Sequence, residues 1–526
     1  MGVIGTLEGA EEQFSALRQR ARTGIRDFLR SFNASWLSRA HVIHEYPRRG
    51  FIGGWRIKVQ LTCSERSFDV LLDGSFPFTA PRLALVDRPD FLTWPHLESD
   101  GLICILADST PTDVTRPVEL LQCLLGDAVH LIEALERGEH IGHFRDEFLP
   151  YWTHSAEMGR RVYSLLNAGQ RQSRLIRCWV GQNAMYAGES EVDISRWLNN
   201  KFGERPEFAA ADRALFLWLG EPMLPSEYPK TARDFSALLK KAKADEFFPE
   251  LCSKPLTRLP VVLGFETVHG NCFASLMMYR SVVRCKHNIG KQSDITRGFR
   301  PGRIPPSIIA SQFLASAGRV VPSMVERIDH SWVHGRGVDS RQDVLRTARV
   351  ALLGCGSLGS LVAHQLAMAG VGHLFLVDPQ TLASSNMGRH HLGARYLGSP
   401  KATSLAKELQ INFPHQSIQG FQMDWQEFHR IHSDHFVDFT LIMSMTGDWN
   451  SEALLNSVHL QLRQRKDLLY GWTEGHACAG HAVLVRPGGG CLACHFDPSG
   501  NAERQLTKWP NTTLLEEPAC GATFQP

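Results

Sequence analysis

Phe14, Leu17, Ala21, Ile25, Phe28 and Phe32 recur at steps of three and four residues, which predicts an amphipathic helix over 11–32. Alternation then replaces that period. Trp55, Ile57, Val59 and Leu61 stand between polar neighbours, as do Phe68, Val70 and Leu72, and Leu83 and Leu85 follow a Pro-containing turn. These runs predict strands. Helical spacing returns at 117–137 and 156–167. One helix, a meander and then helices make an α+β layout of roughly 150 residues.

The pattern from 168 to 330 is weaker. Strands are expected at 175–180 and 260–268 and helices near 231–244 and 308–318, and GFRPGRIPPS (298–307) reads as a linker. From 349 the pattern changes to α/β. RVALL (349–353) is a continuous apolar strand, GCGSLGS (354–360) comes next, a helical run reaches Ala369, and HLFLVD (373–378) closes a βαβ unit. Further buried strands are expected at 437–445, 467–472 and 481–486.

Composition narrows the classes. Lys and Arg total 56 against 54 Asp and Glu, a net charge of +2, which argues against direct nucleic-acid binding. No apolar run reaches the ~18 residues a membrane helix needs. The opening MGVIGTLEGAEEQF lacks a basic region followed by an apolar core, so no signal peptide is expected. Twelve scattered cysteines fit free thiols in a reducing cytoplasm.

Gly354, Gly356 and Gly359 form G-x-G-x-x-G between a strand and a helix. The turn is tight, the backbone must approach phosphate, and the helix start offers unpaired N–H groups to an anion. Asp378, at the end of the second strand, can accept hydrogen bonds from ribose hydroxyls. A dehydrogenase would use the same loop. The residues beyond Asp378 favour cleavage of ATP between its α- and β-phosphates, where charge builds that cations must meet. Asn386, Arg389 and Lys401 supply a donor and two positive charges, and Asp448 ends a strand where Mg²⁺ can be held.

With GCGSLGS, the Asp378 strand end, S-N-M-G-R, Lys401 and the Asp448 strand end, residues 336–520 resemble the ThiF/MoeB/ubiquitin-activating adenylation superfamily. The resemblance implies adenylation of the C-terminal glycine of a small protein with Mg-ATP. Gly354, Gly356, Gly359 and Asp378 would bind ATP, Asn386, Arg389 and Lys401 its phosphates, and Asp448 the Mg²⁺. It also implies a homodimer in which Arg336 reaches the partner's ATP, and a catalytic Cys520, in EEPACG, that takes the modifier from AMP. Cys491 and Cys494 form C-L-A-C, half of a Zn²⁺ site, with His495 as a further candidate ligand. The family continues with an apolar helix after this cysteine, so the chain reads as a fragment at its C-terminus.

In the N-terminal block, Phe76, Pro77, Phe78 and Pro81, then WPHLESDGLICIL (94–106), resemble the ubiquitin-conjugating fold, and DEFLPYW (146–152) sits where that family has later helices. The resemblance makes Cys104 the nucleophile that carries the modifier as a thioester, with His96 supporting its loop. Glu98 stands where the family has an Asn near the thioester. A thiolate is the attacking species, and exchange between thioesters keeps the energy drawn from ATP.

The fold class is thus multidomain: an α+β ubiquitin-conjugating-like domain (1–155), a mixed α/β middle region (156–330) and an α/β Rossmann-like ThiF adenylation domain (331–526). The order resembles the fused enzymes of bacterial CBASS antiviral operons. That implies a modifier with a free C-terminus, a cGAS/DncV-like nucleotidyltransferase, joined to a target protein amine. A sulfur-carrier adenylyltransferase with an N-terminal docking module, and a non-catalytic nucleotide-binding scaffold, are the other readings.

Overall fold

A computed structural model of the chain describes residues 4–105, 113, 115–156, 159–251, 256–280, 300, 303–335, 339–432, 436, 438–462, 466–474, 479–497, 502–503, 515–516 and 523–524. It forms two compact units, one of residues 1–155 with 221–229 and one of residues 156–220 with 230–526.

In the first unit α1 (Ile4–Leu29) precedes β1 (Ser35–Leu37), α2 (Arg39–Glu45), β2 (Phe51–Gln60), β3 (Glu65–Asp73) and β4 (Arg82–Leu85). The four strands make an antiparallel meander in sequence order. Helices α3 (Pro117–Glu136), α4 (His143–Asp146) and α5 (Phe148–Ser155) complete it. The inward face of α1, with Ala21, Ile25 and Leu29, meets Trp55, Ile57, Phe68 and Val70 of the sheet and Leu121, Leu124 and Ile132 of α3. The helical period and the strand alternation thus bury the same core. Tyr228, from the excursion at 221–229, packs on Trp152 with ring centroids 4.9 Å apart.

The second unit opens on an eight-stranded mixed sheet. Its strands are β5 (Arg161–Ser164), β6 (Arg174–Val180), β7 (Ala184–Gly188), β8 (Asp212–Gly220), β9 (Arg258–Thr267), β10 (Gly270–Arg280), β11 (Ala317–Ser323) and β12 (Val325–Arg327). They lie in the order β11-β10-β9-β8-β6-β7-β5-β12. Helices α6 (Glu191–Phe202), α7 (Ala232–Lys241), α8 (Phe247–Leu251) and α9 (Pro306–Ser316) accompany it. The helix expected at 156–167 is corrected: its described part holds β5, paired in parallel with both β7 and β12. Leu165 and Leu166, which extend the apparent helical spacing, lie just past that strand.

The same unit continues with α10 (His330–Gly335), α11 (Gln342–Thr347), β13 (Arg349–Leu353), α12 (Ser357–Ala369), β14 (His373–Val377), α13 (Lys401–Asn412), β15 (Ser417–Phe421), α14 (Trp425–Ile431), β16 (Leu441–Ser444), α15 (Trp449–Gln461), β17 (Asp467–Thr473) and β18 (Gly480–Val485). The sheet order is β15-β14-β13-β16-β17-β18. β13 is central and parallel to β14 and β16, which explains its unbroken apolar run. The strand expected to be buried at 481–486 is instead an antiparallel edge with an alternating, largely exposed pattern. After β13 the chain winds to one side through β14 and β15, then returns to the other side at β16. A crevice opens at such a reversal, at the carboxyl ends of the strands.

Candidate functional site

That crevice holds a cavity of about 530 Å³. Leu353, Val377 and Met445 mark the strand ends around it, and Gly354, Gly356, Asp378 and Asp448 line it. The three glycines have different reasons to be there. Gly354 has φ +91°, and a Cβ on it would lie 2.9 Å from the Met445 carbonyl oxygen. A Cβ on Gly359 would lie 1.9 Å from the Gly354 carbonyl oxygen, so that glycine lets α12 pack on the loop. Gly356 has no such constraint: a Cβ there meets nothing within 4 Å. It precedes α12, whose start carries no side-chain cap. An uncapped helix start facing a cavity suits an anion.

Asp378 is 5% exposed and ties the loop together. Its Oδ2 accepts from the Cys355 N–H at 2.7 Å and its Oδ1 from the Gln380 N–H at 2.8 Å. His390 closes the other side. Its Nδ1 accepts from the Leu392 N–H at 3.0 Å, so its Nε2–H donates to the Cys355 carbonyl at 2.7 Å. Burial lowers the His390 pKa, which keeps that neutral tautomer. Burial also pushes the Cys355 thiol well up, so it is an inert core group.

Lys401 opens α13 at 4% exposure and donates from Nζ to Gln380 Oε1 at 2.7 Å. Gln380 itself lines the cavity. Among the described residues Lys401 makes no ion pair within 4 Å. Asn386 caps its own turn, its Oδ1 accepting from the Ala383 N–H at 3.3 Å, and Arg389 is exposed; neither lines the cavity. Asp448 is exposed at the start of α15. Among the described residues its Oδ1 has one partner, the Asn450 N–H at 3.3 Å, and its Oδ2 has none. A carboxylate so placed fits a cation at the mouth of a phosphate cavity.

Three groups at this site carry no sequence motif. Asp424 and the buried Trp425 line the cavity from the start of α14, with Trp425 Nε1–H donating to Ser451 Oγ at 2.8 Å. Glu452, 5% exposed, accepts from the Gly447 N–H at 3.2 Å and from Thr446 Oγ1 at 3.1 Å, holding the turn that carries Asp448. Burial raises its pKa.

Cys104 belongs to the first unit and is exposed. The loop that presents it is pinned to β4: the Ile103 N–H donates to the Leu83 carbonyl at 2.8 Å and the Cys104 N–H to the His96 carbonyl at 2.9 Å. His96 has φ +59°. Its N–H donates to Tyr151 Oη at 2.8 Å, its Nε2 lies 2.7 Å from His143 Nδ1, and its Nδ1 lies 3.4 Å from Glu147 Oε2. Glu98 pairs with Arg49 at 2.5 Å.

Cys491 and Cys494 bring their sulfurs within 3.6 Å. Among the described residues no group of three or more His, Cys, Asp or Glu could hold a metal ion, so the zinc expectation lacks its further ligands. Arg336 and Cys520 lie outside the described residues. Among those residues no helix is long and apolar enough to cross a membrane.

Residues 333–514 match the ThiF family and residues 33–160 match prokaryotic E2 family B. The ATP-dependent ubiquitin transferase-like protein Cap2 of Pseudomonas aeruginosa is 25% identical over 521 residues, 93% of this chain and 88% of that protein. Cap2 of Escherichia coli is 31% identical over 35% of this chain and 32% of that protein. The ubiquitin-like modifier-activating enzyme ATG7 of Eremothecium gossypii is 28% identical over 30% of this chain and 28% of that protein. The chain is an enzyme in which a ThiF-type adenylation domain lies behind an E2-type domain.

Proposed function

We propose that this enzyme adenylates the C-terminus of a protein modifier with Mg-ATP, receives it on cysteine as a thioester and joins it to an amine of a target protein. The observation that carries the reading is Lys401. Among the described residues this buried ammonium has an amide as its one side-chain partner, a costly arrangement unless an anion completes the site, and it reaches a glycine-loop cavity through Gln380. Phosphate is such an anion. Gly354, Gly356 and Asp378 would hold the nucleotide, with Lys401 and Arg389 reaching its phosphates and Asn386 donating. Mg²⁺ at Asp448 would neutralise charge on the phosphates. Cys520 and then Cys104 would carry the modifier.

In this reading residues 1–155 conjugate, 331–526 activate and 156–330 join them, in a homodimer to which Arg336 contributes. Likeness to Cap2 over 93% of the chain supports a cytoplasmic role in CBASS antiphage defence, with a cGAS/DncV-like nucleotidyltransferase as modifier. The test is incubation of the full chain with ATP, Mg²⁺ and a DncV-like nucleotidyltransferase, read on non-reducing gels. A thiol-sensitive adduct that is lost in Cys104→Ala supports the reading. ATP–pyrophosphate exchange without any thioester points to sulfur-carrier adenylation, and no exchange at all leaves only a scaffold.

A further inference from the structure

A thioester does not by itself deprotonate the amine that attacks it. A lysine side chain, with an ordinary pKa near ~10.4, is almost wholly an ammonium at neutral pH. Some group beside the cysteine must take its proton. Glu98, at the position of the Asn that the conjugating fold would use, is held by Arg49, so its carboxylate is already engaged. Tyr151 accepts from the His96 N–H and donates to Glu147 Oε2 at 3.1 Å, and burial pushes its phenol pKa up, away from any basic role at neutral pH.

We propose that His143 is the general base for this step, with His96 and Glu147 as positioning residues behind it. The inference rests on the reading of Cys104 as thioester acceptor. The order of protons is set by the partners. Glu147 Oε2, an acceptor only, lies 3.4 Å from His96 Nδ1, a charge contact that favours the proton on that nitrogen. His96 Nε2 is then bare and accepts from His143 Nδ1–H at 2.7 Å. That leaves His143 Nε2 as the basic nitrogen, without a hydrogen-bond partner among the described residues and on a half-buried side chain. His96 is joined to the Cys104 backbone through its carbonyl. Cys104 also lies within electrostatic reach of Tyr151, since its charge contributes to the rise in that phenol's pKa.

The groups that face His96 are Glu147, His143, His140, Tyr151 and the Cys104 backbone. Burial lowers the His96 pKa, Glu147 opposes that, and the neighbouring His143 and His140 add to it. His96 is therefore held neutral, with a ring nitrogen able to accept from His143 Nδ1–H.

In the step, His143 Nε2 takes one proton from the ammonium, and the freed amine nitrogen attacks the thioester carbonyl. The C–S bond breaks, the amide forms, the departing Cys104 thiolate takes up the second nitrogen proton, and His143 returns its proton to water. No further reactant is needed.

The test acylates the intact chain with a glycine-ending peptide supplied as its mercaptoethanesulfonate thioester. Loss of the acyl group from Cys104 is tracked by peptide-resolved mass spectrometry. Two amines are compared: free lysine, which needs a base, and hydroxylamine, which is uncharged at pH 7. In His143→Gln, lysine-driven loss at pH 7 should fall by about 10²-fold and the deficit should narrow at pH 9, while hydroxylamine-driven loss stays within about twofold. Glu147→Gln should show the same pattern with a smaller deficit. Unchanged lysine discharge overturns the inference. So does a parallel fall with both amines, which marks a merely structural role. If Cys104 stays unmodified while the exposed Cys63 and Cys123 are acylated, both the inference and the Cys104 reading fail. If acylated Cys104 behaves as expected but ATP and a DncV-like protein never charge it, the proposed function fails and the base assignment stands.

Discussion

Lys401 and Cys104 are opposites in burial, and each is informative for that reason. A lysine at 4% exposure carries its charge into the protein with one amide as its side-chain partner among the described residues. Removing an uncompensated buried charge is often neutral or stabilising, whereas removing half of an ion pair is destabilising. Lys401→Met should therefore keep or raise the thermal midpoint and cut modifier-dependent ATP–pyrophosphate exchange by about 10²-fold or more. A lower midpoint with normal exchange would show that the ammonium serves the fold alone. The lysine was legible in the sequence because it sits in an ordered series behind a glycine loop. His143, Trp425 and Glu452 were not. Each reaches its site from a segment with no motif of its own, and only the folded chain brings it there. None of Asn386, Arg389 and Lys401 lines the cavity itself; Lys401 is tied to it through its bond to the lining Gln380.

The loop between β13 and α12 separates fold from ligand within three glycines. Gly354→Ala places a Cβ against the Met445 carbonyl at φ +91° and should lower the thermal midpoint. Gly356→Ala meets open space, so it should melt like the parent chain but bind ATP at least about tenfold more weakly, as isothermal titration would show. Equal nucleotide affinity in Gly356→Ala would remove the loop from the phosphate site. A second device joins α10 to the end of α12. His334 Nδ1–H donates to the Met368 carbonyl at 3.0 Å, so its Nε2 accepts from His415 Nε2–H at 2.6 Å, and His330 Nε2–H donates to the Gly370 carbonyl at 2.7 Å. Burial, and then the neighbouring imidazoles, push His415 down to about 3. His330 and His334 are lowered as well, first by burial. The folded state thus binds fewer protons than the unfolded chain below the ordinary value of 6.5. Stability from this cluster is complete above that pH and falls on acidification, by at most about 1.4 kcal/mol per pH unit per histidine. His415→Gln should flatten the fall in midpoint between pH 7 and 5; parallel falls in parent and variant would exonerate the cluster. Element identity was legible where one period ruled, as in α1, β2 and β13. It failed at β5, where a four-residue strand between parallel partners has no room to show alternation. It failed again at β18, whose apolar letters hide an exposed edge.

At the scale of the whole molecule, the sequence order of a conjugating block before an activating block was legible, and the sheet between them was not. Its strands β8 to β11 are successive neighbours, but β5, β6 and β7 are shuffled, β12 returns to pair with β5, and one loop, 221–229, belongs to the first unit instead. Long-range pairing of this kind leaves no local signature in a single chain. What the single chain does dictate is that the glycine-loop crevice and Cys104 share a tether, which raises the effective concentration of each at the other. In the proposed function a thioester relay would carry energy from ATP from one to the other, because exchange between sulfurs is near isoenergetic. Cys520 is the candidate first sulfur. It comes after a run from 495 to 519 that holds Gly500, Pro510 and Pro518, long enough to carry a thiol toward an adenylate. Cys520→Ala should then retain modifier-dependent ATP–pyrophosphate exchange, since adenylation precedes any thiol, while Cys104 stays uncharged on non-reducing gels. Cys104→Ala should retain both exchange and the Cys520 adduct, yet deliver nothing to the target. Mixing the two variants distinguishes transfer within a chain from transfer across a dimer: charging of the intact Cys104 is restored only when the Cys520 of another copy can reach it. Normal charging of Cys104 in Cys520→Ala alone means that the modifier passes from AMP straight to Cys104, and that Cys520 has no chemical part.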